Sequence, residues 1–125
     1  MSEFPDIFID ENGIFIEYHY DKIISKSCAM FVAEERNKLT EARLPLLVKF
    51  KDLHGFSIET RDMSLDYILK SVNALAYYVD IETEEGKRTK EVIDSFFDLT
   101  PWRIPVKIFT NEDEALVWLK NYVDK

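Results

Sequence analysis

A chain of 125 residues that is 46% hydrophobic and 32% charged has the composition of one folded domain, residues 1–125, rather than of a disordered segment. Its formal net charge of -8 argues against nucleic acid as a partner, since displacing counterions from phosphates needs a basic face, and the bases that thicken between Arg36 and Lys51 lie among Glu41 and apolar residues. A lone cysteine, Cys28, rules out an intrachain disulfide or a Cys-rich metal site and suits a reducing compartment. No apolar run nears the roughly 20 residues of a membrane span, and "MSEFPDIFID" lacks a signal-peptide pattern. The expectation is a cytoplasmic protein that does not span a membrane.

"DIFIDENGIFIEYHY" predicts a hairpin turning at Asn12-Gly13, a pair suited to a type I′ turn. That turn would set Asp10 opposite Phe15 and Ile9 opposite Ile16. One face, with Ile7, Ile9, Ile14, Ile16, Tyr18 and Tyr20, is then core. The other, with Phe8, Asp10, Phe15, Glu17 and His19, is mixed and half covered. "ISKSCAMFVAEERNKLTEARL" predicts a helix capped by Ser25 and stopped by Pro45. Its apolar stripe runs through Ile24, Cys28, Phe31, Val32 and Leu39, with Glu34, Arg36 and Lys38 off it. The nearly unbroken apolar run "LPLLVKF" predicts a buried strand.

In "KFKDLHGFSIET", Gly55 permits a sharp turn and Ser57 caps a helix running to about Val72. The apolar spacing breaks at Arg61-Asp62, so an irregular helix or a restart at Ser64 is expected. A strand over "ALAYYVDI" follows, then a helix over "TEEGKRTKEVIDSFFDL", a loop, a strand from Pro105 and a last helix capped by Asn111 with Glu114. The order ββαβαβαβα implies an α/β fold. It has a five-stranded mixed sheet, one antiparallel edge strand from the N-terminal hairpin, and four helices.

Chemical motifs are sparse. Gly13, Gly55 and Gly86 sit in separate turns, so no phosphate-cradling loop or dinucleotide fingerprint can be assembled. His19 and His54 have no His or Cys partner at metal-ligand spacing. A Ser57–His54–Asp52 set lies within one turn and lacks a nucleophile elbow. A receiver domain is excluded because Asn12-Gly13 leads into a second strand where a helix is required, and Lys107 falls inside the last strand. No cofactor, metal or enzymatic activity is therefore expected.

In open parallel sheets ligands sit beyond the carboxyl ends of the strands. That rim would gather Asp52, His54 and Ser57, then Asp80, Glu82 and Thr83, then Thr110 and Asn111. Asp52, His54 and Ser57 are the candidate phosphoacceptor or ligand rim, and Ser57 also serves as a helix cap. The aromatic content of 14% allows an apolar pocket lined by Phe96, Phe97 and Trp102, though Trp102 also suits packing under its loop.

The segment "KRTKEVIDSFFDLTPWRIPVKIFTNEDEALVWLK" and the "ENGIFIEY" hairpin resemble the short bacterial SpoIIAA-like proteins, also labelled STAS/SEC14 domain-containing. The resemblance covers nearly the whole chain and rests mostly on core and capping residues. It implies successive βα turns with one antiparallel strand. It also implies a regulatory module that binds a kinase or anti-sigma-like partner and is switched by phosphorylation of a serine after a strand. In place of the Asp-Ser-Ser-Gly-like run this chain has "DLHGFS"; Asp52 matches the aspartate, and Ser57 follows Gly55 rather than preceding it. The SEC14 label implies a second role, a carrier of a lipid or other apolar small molecule. The edge hairpin and the aromatic residues are compatible with a homodimer.

Overall fold

Asp10 sets the register of the N-terminal hairpin. A computed structural model of the chain describes residues 5–99 and 102–123, without the side chains of residues 58, 59, 61–65 and 97–99. Strand β1 (Asp6–Ile9) pairs antiparallel with β2 (Phe15–His19), with Ile9 opposite Phe15 and Phe8 opposite Ile16. The Asp10 carboxylate accepts from the Asn12 and Ile14 amides at 2.9 and 3.0 Å. The Asp10 amide in turn donates to the Ile14 carbonyl. Gly13 alone among the glycines takes positive φ, +82°, so the loop holds one residue more than the two-residue turn expected from Asn12-Gly13. A one-residue slip turns a strand over. Ile9 therefore joins Phe15 in the larger core cluster, and Phe8 is 51% exposed.

The main sheet continues through β4 (Leu44–Phe50), β6 (Val72–Tyr78) and β7 (Val106–Phe109), all parallel, in the order β1-β2-β4-β6-β7. Adjacent positions in the sheet are thus successive in the chain, and β1 is the one antiparallel edge. The four helices are α1 (Lys26–Leu39), α2 (Ile58–Ser71), α3 (Glu84–Leu99) and α4 (Glu112–Lys120). One face of the sheet packs Phe15, Leu46, Val48, Leu75 and Tyr77 against Cys28 of α1, Ile68 of α2 and Ile93 of α3. The other packs Ile14, Ile16, Leu47, Ala74 and Ala76 against Ala115 and Leu119 of α4. Strands covered on both faces carry near-continuous apolar runs, as "LPLLVKF" does.

Two short strands outside the expected order, β3 (Ile23–Ile24) and β5 (Gly55–Phe56), form a separate parallel pair. The His54 and Gly55 amides donate to the Lys22 carbonyl, and the Ser57 amide donates to that of Ile24. This pair ties the chain after β2 to the start of α2.

The structure shifts several expected boundaries. Helix α1 ends at Leu39, not at Pro45. The Thr40 side chain accepts from the Ala42 amide in the turn that follows, as a Thr competing with the helix backbone does. Pro45 lies inside β4, at the place where the β4–β6 register shifts and a missing N–H is tolerated. Helix α2 is continuous through Arg61-Asp62 and yields to strand at Val72. Gly86 lies in the first turn of α3, within the expected helix.

A Cβ on Gly86 would fall inside the contact radius of the Asp80 carbonyl oxygen, whereas one on Gly13 would meet Val123 at an ordinary 3.5 Å. Gly86→Ala should lower stability by about 1–3 kcal/mol, the range for overpacking. Gly13→Ala should cost about 1 kcal/mol through its positive φ. Urea unfolding of the two variants beside the parent checks both magnitudes.

Candidate functional site

Position 17 faces α1 and α2 from β2, on the same side as Phe15, and carries a carboxylate. Glu17 is 3% exposed and Arg36 of α1 is 2% exposed. Burying two charges is costly unless they pair with good geometry and satisfy their remaining hydrogen-bonding groups. Glu17 Oε1 accepts from Arg36 Nη1, and Glu17 Oε2 lies 2.9 Å from His19 Nε2. Arg36 Nε donates to Ser71 Oγ at 2.9 Å, and that hydroxyl donates to the Tyr67 carbonyl at 3.3 Å. The network joins β2, α1 and the last turn of α2. Burial pushes the Glu17 carboxyl up, but the Arg36 charge and the His19 and Arg36 hydrogen bonds outweigh it and hold the group below its ordinary value.

Arg36 and the charged face of β2 were expected half covered or off the apolar stripe, and the structure buries them. Arg36 stands four residues after Val32 and eight after Cys28, so helical spacing puts it on the inward face. Glu17 and His19 follow Phe15 at strand spacing and share its face. The spacing was the available signal; the residue types pointed the other way, since Arg and Glu are seldom buried unless paired.

His19 links this network to the lone cysteine. Its Nδ1 is 3.5 Å from Cys28 Sγ. Cys28, His19 and Glu17 thus form a thiol–imidazole–carboxylate chain, a partnership that sequence spacing did not reveal. Its electrostatics oppose nucleophilic use. Burial, with the charges of Glu17 and Asp21, pushes the Cys28 thiol up to about 12, whereas a reactive thiol needs its pKa lowered. Among the described residues, no group of three or more His, Cys, Asp or Glu side chains is placed to hold a metal ion.

Above the network lies a cavity of about 50 Å³. Glu17, His19, Arg36, Tyr67 and Tyr77 are the lining residues with polar side chains. Phe50, Phe56 and Phe96 supply aromatic wall, with Phe56 and Phe96 stacked at 4.2 Å and Phe50 and Tyr77 at 6.1 Å. Of the residues expected to line an apolar pocket, Phe96 does so. Trp102 packs against the core and sits edge-on to Phe96 at 6.1 Å. The Phe97 side chain lies outside the described residues.

The carboxyl-end rim is also present, as two open clefts of about 510 and 610 Å³. Asp52, Asp80 and Thr83 line the first, and Asp80, Glu82, Thr110 and Asn111 the second. Arg88 of α3 grips Asp52 through Nε and Nη2 at 2.9–3.2 Å, and His54 Nε2 lies 3.2 Å from Asp52 Oδ2. The hydrogen bonds from Arg88 are the main reason the Asp52 carboxyl is lowered. Burial, then Asp80, Glu112 and Glu82, push the Tyr78 phenol up, which marks the rim as electronegative.

Ser57 caps α2, its Oγ accepting from the Thr60 amide at 3.3 Å. The Ser57 and Thr60 hydroxyls are hydrogen-bonded, and Thr60 Oγ1 donates to the Ile24 carbonyl at 3.0 Å. Asp52 and His54 therefore form one cluster with Arg88, while Ser57 is engaged in a separate one with Thr60.

The sheet order, the antiparallel edge strand and the helices on both faces define a small α/β domain with a charged network buried on its three-helix side. The chain belongs to the family described as Domain of unknown function (DUF7793), whose model matches residues 7–123. No curated protein and no solved structure matches it.

Because Arg36 compensates a buried carboxylate, Arg36→Met should destabilise the fold by about 3–5 kcal/mol. The double variant Glu17→Gln/Arg36→Met should recover part of that loss in a double-mutant cycle of urea unfolding. The lowered Glu17 carboxyl contributes stability that is full above its unfolded value and lost as pH falls through its folded one. Glu17→Gln should therefore flatten the loss of stability below about pH 4.5, read by chemical denaturation across pH. Cys28, protonated at neutral pH, should resist iodoacetamide in the folded protein and react once the chain is unfolded, as mass spectrometry of the labelled protein would show.

Proposed function

We propose that the protein is a non-enzymatic regulatory module of the SpoIIAA/STAS-like kind, acting in the cytoplasm by binding a kinase or anti-sigma-like partner. The sheet of successive βα turns with one antiparallel edge supports this reading, as does the start of α2 on a serine in the connection that follows β4. A thiol held up to about 12 supports the non-enzymatic part, because it keeps the Cys28–His19 pair from supplying a nucleophile. No helix among the described residues is long and apolar enough to cross a membrane.

The observation that carries the reading is the joint at Ser57. One hydroxyl caps α2 and, through Thr60, holds α2 to the Ile24 carbonyl of β3. A phosphate there adds about -1.5 to -2 charge beside the positive end of the helix dipole, which favours it. Its oxygens would draw the Thr60 hydroxyl away from Ile24, so the modification would keep the helix and release the tie to β3. A partner docked at this joint would sense the change.

A second reading, a carrier of a small apolar molecule, is supported by the aromatic-walled cavity over the Glu17–Arg36 pair.

Ser57→Ala should cost about 1 kcal/mol of stability through the lost cap and retain the partner captured from the native host by the parent chain. Ser57→Glu should change that partner's affinity, measured by titration with the purified partner. An affinity for Ser57→Glu equal to the parent's sinks the regulatory reading.

A further inference from the structure

We propose that the cavity between the sheet and α1–α2 binds a neutral molecule with a hydroxyl or carbonyl end and a short apolar body. Its polar end hydrogen-bonds to Tyr77, and its body lies against Phe50, Phe56 and Phe96. The inference rests on the carrier reading and names the class of ligand carried.

Tyr77 is the reason for the polar end. It is 4% exposed, lines the cavity, and has its ring stacked on that of Phe50 at 6.1 Å. Its hydroxyl makes no hydrogen bond to any described residue. A buried phenol ordinarily finds a partner, and Tyr77 is one of the residues that line the cavity. The group can donate or accept, so alcohols and carbonyl compounds both fit.

Neutrality follows from the floor. Glu17 and Arg36 already pair, and His19 is engaged by Glu17. An incoming carboxylate or ammonium would leave water and meet no uncompensated counter-charge, at a large desolvation cost. Size limits the buried part. About 50 Å³ equals the liquid share of about two water molecules, enough for the polar end and a carbon beside it. The remainder of the ligand follows Phe50, Phe56 and Ile68, which are half-buried and form the outer lining.

The test uses the full chain with 1-hexanol, hexanoate and toluene as probes, followed by NMR titration of side-chain signals from Tyr77, Phe50 and Phe96. The expected result is saturable binding of 1-hexanol at these residues and weaker binding of hexanoate. The near-isosteric Tyr77→Phe, checked for folding by its melting curve, should bind 1-hexanol about 2- to 10-fold less tightly. Equal binding of 1-hexanol by Tyr77→Phe and the parent overturns the hydrogen bond. Hexanoate binding more tightly than 1-hexanol overturns neutrality, a comparison that needs no variant. Toluene binding without 1-hexanol overturns the ligand class and leaves a carrier of apolar molecules standing. If no probe moves these signals, the class and the carrier reading fall together.

Discussion

Arg36 reaches from α1 to the carboxylate of Glu17 on β2, and both groups are almost wholly removed from water. Neither charge is tolerable alone at that depth, because removing one partner strands the other. The pair therefore fixes how α1 lies on the sheet. Its further bonds extend the constraint: His19 adds the end of β2, and Ser71 adds the last turn of α2. The same residue ends α2 one position before β6 begins. One strand of the sheet and two helices on the same side of it thus converge on one charged network. The apolar packing around it, from Phe15, Val48, Leu75 and Tyr77, supplies most of the driving force but is less specific about geometry.

The network also shapes the space above it. Polar side chains held by one another do not fill a corner as Leu or Ile would, and the rings of Phe50, Phe56 and Phe96 bridge over them. The result is a small cavity with a polar floor and aromatic walls. The three-helix side and the carboxyl-end rim therefore offer two different kinds of site. The cavity is small and aromatic-walled, and the clefts are open and lined by Asp52, Asp80 and Glu82. The Ser57–Thr60 joint adjoins the cavity, since Phe56 of β5 is both cavity wall and immediate neighbour of Ser57.

The helix caps were legible in the chain because they depend on local chemistry. Ser25, Ser57 and Asn111 each cap the helix expected of them, and the alternation of apolar strands with capped helices implied a parallel sheet. The hairpin was located correctly but in the wrong register. Asn-Gly favours a tight turn, and the Asp10 carboxylate, by bonding two amides of the loop, won instead. That single-residue difference moved Ile9 into the core cluster and Phe8 to the surface. The tight packing of Gly86 against Asp80 is a contact between a loop and a helix start, which residue type alone does not reveal.

By itself the sequence determined the α/β class, the order of the main strands and helices, and the caps that begin three helices, because each follows from periodicity and backbone hydrogen bonding within a few residues. The tertiary structure decided what no local rule covers. Glu17, His19, Cys28, Arg36 and Ser71 come from three elements, and their meeting depends on how the sheet and helices pack. Spacing placed Arg36 on the inward face of its helix, but only the carboxylate opposite makes that burial tolerable. A charge finds its partner through space rather than along the chain, and for that reason the buried network and the cavity above it became visible only in the folded protein.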